Sequence, residues 1–123
     1  MNDLSRLDIV LVELDPTRGS EIKKTRPCVI VSPDIINQNS GTIIVCAITH
    51  YDERKAKSFF FVPVSPGKTT GLKKESLINT QQIRTIDKIR IRKNLGRLPA
   101  KMESSLDYAL SLAVGTDEEV KKL

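Results

Sequence analysis

Eleven residues, Thr17-Arg18-Gly19-Ser20-Glu21-Ile22-Lys23-Lys24-Thr25-Arg26-Pro27, gather four cations, one carboxylate and three hydroxyls between two apolar runs. With no apolar period the stretch cannot be core. It reads as an exposed loop between strands, and loops held on a rigid scaffold are the usual seat of a site. Cationic side chains neutralise phosphate charge while hydroxyls and backbone amides position its oxygens, so the loop is chemically suited to a phosphate-bearing ligand. A second polar group, Gln82-Ile83-Arg84-Thr85-Ile86-Asp87-Lys88, places Gln82 and Arg84 on one strand face. There they can line a groove, or Arg84 can pair with Asp87 structurally. His50 is the single histidine, and imidazole is the side chain whose ordinary titration range best suits proton transfer near neutrality. It directly follows Thr49, and neighbours on a strand point to opposite faces, so alternation reads His50 as a loop-entry residue.

The elements that must hold these groups are short. Ile9 to Leu14 and Cys28 to Val31 are apolar, strand-forming runs closed by Asp15-Pro16 and Ser32-Pro33. Continuous apolar runs of this length suit strands buried on both faces. Asp34 to Gly41 is a polar connector with a helical turn around Ile35 and Ile36. Thr42 to Thr49 is the clearest strand, and Ser58 to Val64 a fourth, with Pro63 marking an edge or a strand end. Glu75 to Ile78 and Gln82 to Asp87 read as a fifth and a sixth strand. Lys88 to Lys93 is a basic stretch, after which Leu95 to Pro99 turns the chain. From Ala100 the period changes: Met102, Leu106, Ala109, Leu110 and Ala113 share one helical face, with Gly115 as the stop. The pattern predicts a small, mostly antiparallel β-barrel capped by one amphipathic helix.

Bulk properties bound the function. At 123 residues the chain is of single-domain size, so 1–123 is read as one domain. The formal charge of +5 favours a polyanionic partner. There is no Trp and aromatics are 4%, which argues against readers that stack bases on aromatic platforms. Cys28 and Cys46 sit inside apolar runs and read as small buried hydrophobes. With one histidine, no Cys-x-x-Cys spacing, and carboxylates only in adjacent pairs (Asp52-Glu53, Glu118-Glu119), neither a zinc site nor a magnesium cage is expected. No cofactor is expected either. No run is long enough to span a membrane and no export signal is seen, so the expectation is a cytoplasmic protein.

The set Asp8-Ile9-Val10, Asp15-Pro16, Gly19-Ser20-Glu21, Thr25-Arg26-Pro27, Ala47-Ile48-Thr49 and Gln82 to Lys88, followed by the closing helix, resembles the MazF/PemK toxins in order along nearly the whole chain. The resemblance implies an SH3-like barrel acting as a homodimer. It also implies a metal-independent endoribonuclease that cuts single-stranded RNA at short sequences. The 2′-hydroxyl attacks the neighbouring phosphodiester, leaving a 2′,3′-cyclic phosphate and a 5′-hydroxyl. An acidic antitoxin with a flexible tail in the groove is the implied partner. Residue by residue, Arg26 matches the family's arginine and would stabilise the phosphorane, Thr49 the second catalytic position, and Glu21 a loop carboxylate that takes the 2′ proton or orients Arg26. Lys24, Thr25, Gln82, Arg84 and His50 are carried as substrate-binding candidates. Two positions depart from the family: Ile22 follows Glu21, and Gln81 stands where some members have a carboxylate proposed as the general base. A non-catalytic RNA- or partner-binding module of the same fold is the alternative. The gyrase-binding CcdB branch fits less well, because it needs a C-terminal Trp and this chain ends Val120-Lys121-Lys122-Leu123.

Overall fold

The computed structural model describes residues 3–14 and 24–123. In chain order the elements are β1 (Asp8–Glu13), β2 (Thr25–Ile30), α1 (Asp34–Asn39), β3 (Thr42–His50), α2 (Glu53–Ala56), β4 (Phe61–Val64), β5 (Ser76–Asp87), β6 (Ile91–Arg97), α3 (Glu103–Ala113) and α4 (Glu118–Lys121). Short 3-10 turns at Lys88–Arg90 and Ala100–Met102 precede β6 and α3.

The apolar runs become strands with both faces covered. Ile9 faces one buried cluster with Val29, Cys46, Ile48 and Ile78. Its neighbours Val10 and Val12 face another, with Cys28, Ile30, Val45 and Ile86. Period-two alternation explains the split. The sheet has six strands in the order β4-β5-β3-β2-β1-β6, and every pairing is antiparallel. The mostly-β, antiparallel reading with a C-terminal helix therefore holds. The sheet is more open than a barrel, since no β4–β6 ladder closes it. Its ends are joined by the 65–72 loop instead, where the Arg97 amide donates to the Thr69 carbonyl at 2.7 Å.

Helix α3 covers the first cluster with fully buried Leu106 and nearly buried Ala109 and Leu112. Burying a leucine of this kind contributes roughly 1.5–3 kcal/mol. Arg6 ties the helix start to the sheet: its guanidinium reaches Glu103 at 2.9 Å and Asp107 at 2.6 Å while Nε donates to the Val31 carbonyl at 2.9 Å. Gly115, at φ 76°, ends the helix as the sequence indicated. The amides of Gly115 and Thr116 return to the carbonyls of Leu112 and Ser111, a double closure that needs a left-handed residue at that point.

Four sequence expectations change, the first being that the strand read over Ser58–Val64 is confined to Phe61–Val64. Glu75–Ile78 and Gln82–Asp87 are one strand, β5, interrupted where the partner of Cys46 is Ile83 and that of the next residue, Ala47, is Asn79. The intervening residues bulge out of the ladder, anchored by the Thr80 hydroxyl donating to the Phe60 carbonyl at 2.6 Å. The turn expected at Leu95–Pro99 begins later, because Ile91–Arg97 is β6, whose polar run Arg92-Lys93-Asn94 disguises it. Asp34–Asn39 is a complete short helix whose Asn37 is buried against Ser32. Pro63 does lie on an edge strand, where its missing amide costs nothing.

Candidate active site

Strand pairing brings the two main candidates together. The β2–β3 ladder ends at the pair Cys28 and Ala47, and beyond it Arg26 on β2 and Thr49 on β3 border a common cleft. Both line a cleft of about 300 Å³ with Lys24, Thr25, His50 and Ser76. Both also line a second cleft of about 690 Å³, where Asn79, Gln82, Arg84 and Lys55 join them. A third, of about 530 Å³, adjoins the first through Pro27, His50 and Ser76. The three make a continuous groove across the strand ends, with His50 in all of them.

Thr49 is chemically distinctive. Its Oγ1 is buried yet has no hydrogen-bond partner among the described residues. Nearly all buried hydroxyls are partnered, and an exception calls for an explanation. Thr49 lines the same two clefts as the exposed Arg26.

The remaining sequence candidates fall out as follows. Lys24 and Thr25 are exposed at the mouth of the first cleft. The β5 bulge turns Gln82 into the second cleft, as bulges beside sites often do. Arg84 lines that cleft and also donates from Nη2 to the Leu14 carbonyl at 2.9 Å, so it both borders the groove and holds the end of β1. Asp87 caps the turn that follows it, accepting from the Ile89 amide at 3.1 Å, a structural role. Alternation placed His50 away from Thr49, but at the strand end it is exposed and borders the same clefts. Gln81 is exposed in the bulge, and its amide donates to Asn79 Oδ1 at 3.0 Å. Glu21 lies outside the described residues, together with the rest of 15–23.

The groove is electropositive. Asp52 is the carboxylate that lines it among the described residues, and it serves as the N-cap of α2. Hydrogen bonding from the Lys55 amide, joined by that of Arg54, holds its carboxyl below the ordinary carboxylate range. Beneath the floor, burial pushes the Cys28 thiol up to about 12 against the opposing fields of Arg84 and Arg26. That thiol is inert. Among the described residues no three His, Cys, Asp or Glu side chains cluster as metal ligands, and no helix is long and apolar enough to cross a membrane.

Sequence reading missed Asn79 and Ser76 as groove residues, and with them the β6 residues Lys93 and Leu95. The bulge that turns Asn79 inward has no sequence signature, and β6 was not recognised as a strand.

Residues 5–114 match the family model of the PemK-like, MazF-like toxin of type II toxin-antitoxin systems. An endoribonuclease MazF from Staphylococcus epidermidis is 38% identical over 112 residues, covering 91% of this chain and 92% of that one. Among solved structures, a mycobacterial endoribonuclease in complex with its cognate antitoxin superposes with a TM-score of 0.75 at 19% identity, over 94% of this chain and 98% of that chain. A MazE-MazF structure from Deinococcus radiodurans gives 0.75 at 20% identity, over 93% and 97%. At such identities the two structures speak to the fold.

Proposed function

Because the chain belongs to the PemK-like, MazF-like toxin family, we propose that it is an endoribonuclease toxin that cuts single-stranded RNA at a short sequence and is held inactive by a cognate antitoxin. The observation that carries the reading is the buried, unpartnered Thr49 hydroxyl in an electropositive groove that Arg26 also lines.

The chemistry follows from what these groups can do. The ribose 2′-oxygen attacks the adjacent phosphorus, and the bond from phosphorus to the 5′-oxygen breaks, leaving a 2′,3′-cyclic phosphate and a 5′-hydroxyl. The pentavalent intermediate carries extra negative charge on its non-bridging oxygens. A guanidinium offers a rigid fork to two such oxygens, which is the role of Arg26. The Thr49 hydroxyl donates to one of them, replacing a bond the fold itself leaves unmade. Glu21 either accepts the 2′ proton or orients Arg26, the two roles its resemblance leaves open, and the leaving oxygen takes a proton from water in the open groove. Lys24, Thr25, Gln82, Arg84 and His50 hold the flanking RNA. Arg26 and Thr49 supply the charge stabilisation, and no step is assigned to a metal or cofactor.

The groove's charge also suits the acidic flexible tail of an antitoxin, which would compete with RNA for the same cations. A homodimer in the cytoplasm completes the proposal.

The test is incubation of a long mixed-sequence RNA with the folded protein in excess EDTA, beside Arg26→Ala and Thr49→Ala. Expected are fragments that all begin at one recurring short motif, lost in both variants. Intact RNA, with the wild type folded and binding RNA, would leave a binding module in place of an enzyme.

A further inference from the structure

The third cleft lies beyond Pro27 and Ser76, outside the reacting pair, and its construction is specific. Its floor is apolar, from Leu11, Leu72 and Leu95, and its rim carries Lys73, Lys74 and Lys93. All three lysines are exposed, and among the described residues no carboxylate lines the cleft. One wall is the 65–72 loop, which is fixed. The Gly71 amide donates to the Gly67 carbonyl at 2.9 Å and the Gly67 amide to the Leu72 carbonyl at 3.2 Å. Gly71 has φ 71° and packs so closely on β6 that a Cβ there would come within 1.9 Å of the Leu95 carbonyl oxygen. Only glycine permits that approach. The loop is thus locked to β6, and Lys73, Lys74 and Lys93 line the same cleft.

A lysine-rimmed, apolar-floored cleft fits a nucleotide. Its volume, about 530 Å³, lies within the usual range for small-ligand sites. Sequence-selective RNA proteins bind bases splayed out of the stack, and an apolar floor without aromatics favours van der Waals contact over stacking. The Ser76 hydroxyl, which donates to the Lys74 carbonyl at 2.9 Å, keeps its oxygen as an acceptor beside that floor.

We propose that this cleft is the subsite for the nucleotide next to the scissile phosphate, with the base on Leu11, Leu72 and Leu95 and the flanking phosphates on Lys73, Lys74 and Lys93. The proposal rests on the RNA-cleaving reading. It differs from a general basic surface because it assigns the lysines to one nucleotide position.

Two measurements on the full chain test it. The first is binding of a labelled single-stranded RNA across a salt series. The double variant Lys73→Gln/Lys93→Gln should lower the slope of log affinity against log salt by about 1.4, since each phosphate neutralised on a single strand contributes roughly 0.7. The second compares kcat/KM for RNAs trimmed nucleotide by nucleotide on each side of the mapped cut. On one side, the first nucleotide beyond the scissile phosphate should raise kcat/KM in the wild type, and that gain should shrink towards one in the double variant and in Leu72→Ser. An unchanged salt slope, or a gain that survives the substitutions, would overturn the subsite while leaving the nuclease reading intact. So would RNA behaviour unaltered while an acidic peptide loses its binding, which would assign the cleft to a peptide. If the wild type binds RNA with the expected change in slope but never cuts, the nuclease reading fails and the subsite stands as a binding site.

Discussion

Replacing Thr49 with valine should make the protein more stable and less active at once. The side chain is half-buried, its Oγ1 is fully buried, and that oxygen finds no partner among the described residues. A buried polar group left unsatisfied costs roughly 1–3 kcal/mol, and an apolar group of the same shape escapes that cost. Valine differs from threonine by a methyl in place of the hydroxyl, so Thr49→Val should gain about 1 kcal/mol without a clash. For a chain of this size that is about 4 °C in Tm. In urea the midpoint should rise with the slope unchanged, compared at one protein concentration because association shifts apparent stability. Cleavage should fall by about 10²–10³ in kcat, the usual cost of losing one donor aimed at developing charge. Thr49→Ser, which keeps the hydroxyl, should keep most of the activity. A Thr49→Val protein that is destabilised by about 1 kcal/mol or more would show that the hydroxyl is satisfied within the fold. The reasoning that sets it aside for the substrate would then be wrong.

Arg26→Lys keeps the charge and loses the fork, so kcat should fall by at least about tenfold, with Arg26→Ala lower still, read from single-turnover cleavage. Glu13 is buried and paired with Arg92, whose Nε donates at 3.1 Å, while Arg90 and Arg84 grip the Glu13 and Leu14 carbonyls at 3.4 and 2.9 Å. Glu13→Gln should therefore cost about 1–3 kcal/mol by urea denaturation and lower kcat/KM, because the adjoining Leu14 carbonyl holds Arg84, which lines the groove. Burial raises the Cys28 and Cys46 thiols from 9.0 to about 12. Between those values the unfolded chain has released protons that the folded one retains. Stability should be undiminished below pH 9 and fall above it by about 1.4 kcal/mol per pH unit per thiol. The fall should be shallower in Cys28→Ala, measured by urea titration at successive pH values.

Much of this was legible in the chain because the strands are buried on both faces. Ile9 to Val12, Cys28 to Val31 and Ile43 to Ile48 are apolar at successive positions, a pattern that suits a doubly covered strand. Gly115 announced the helix stop for a similarly local reason. β6 was not legible, since Arg92, Lys93 and Asn94 are exposed and its strand character comes from pairing with β1. The continuity of β5 was hidden by a bulge whose anchor, the Thr80 hydroxyl on the Phe60 carbonyl, joins residues twenty apart. At the site, Arg26 and Thr49 carried no signal by composition and were found through resemblance. What brings them to one cleft is the pairing of β2 with β3, a tertiary fact. The third cleft depends on Gly71 meeting Leu95, which no local pattern encodes.

The central claim is that the RNA's own 2′-hydroxyl is the nucleophile, with Arg26 and Thr49 stabilising the charge it creates. Once a cut site is mapped, two synthetic RNAs should be compared in EDTA, identical except for a 2′-deoxyribose at the nucleotide whose 2′-oxygen would attack. The account predicts cleavage of the all-ribose strand to a 2′,3′-cyclic phosphate and none of the substituted strand. Cleavage of both at the same bond would contradict it, for the nucleophile would then have to be water or a protein side chain.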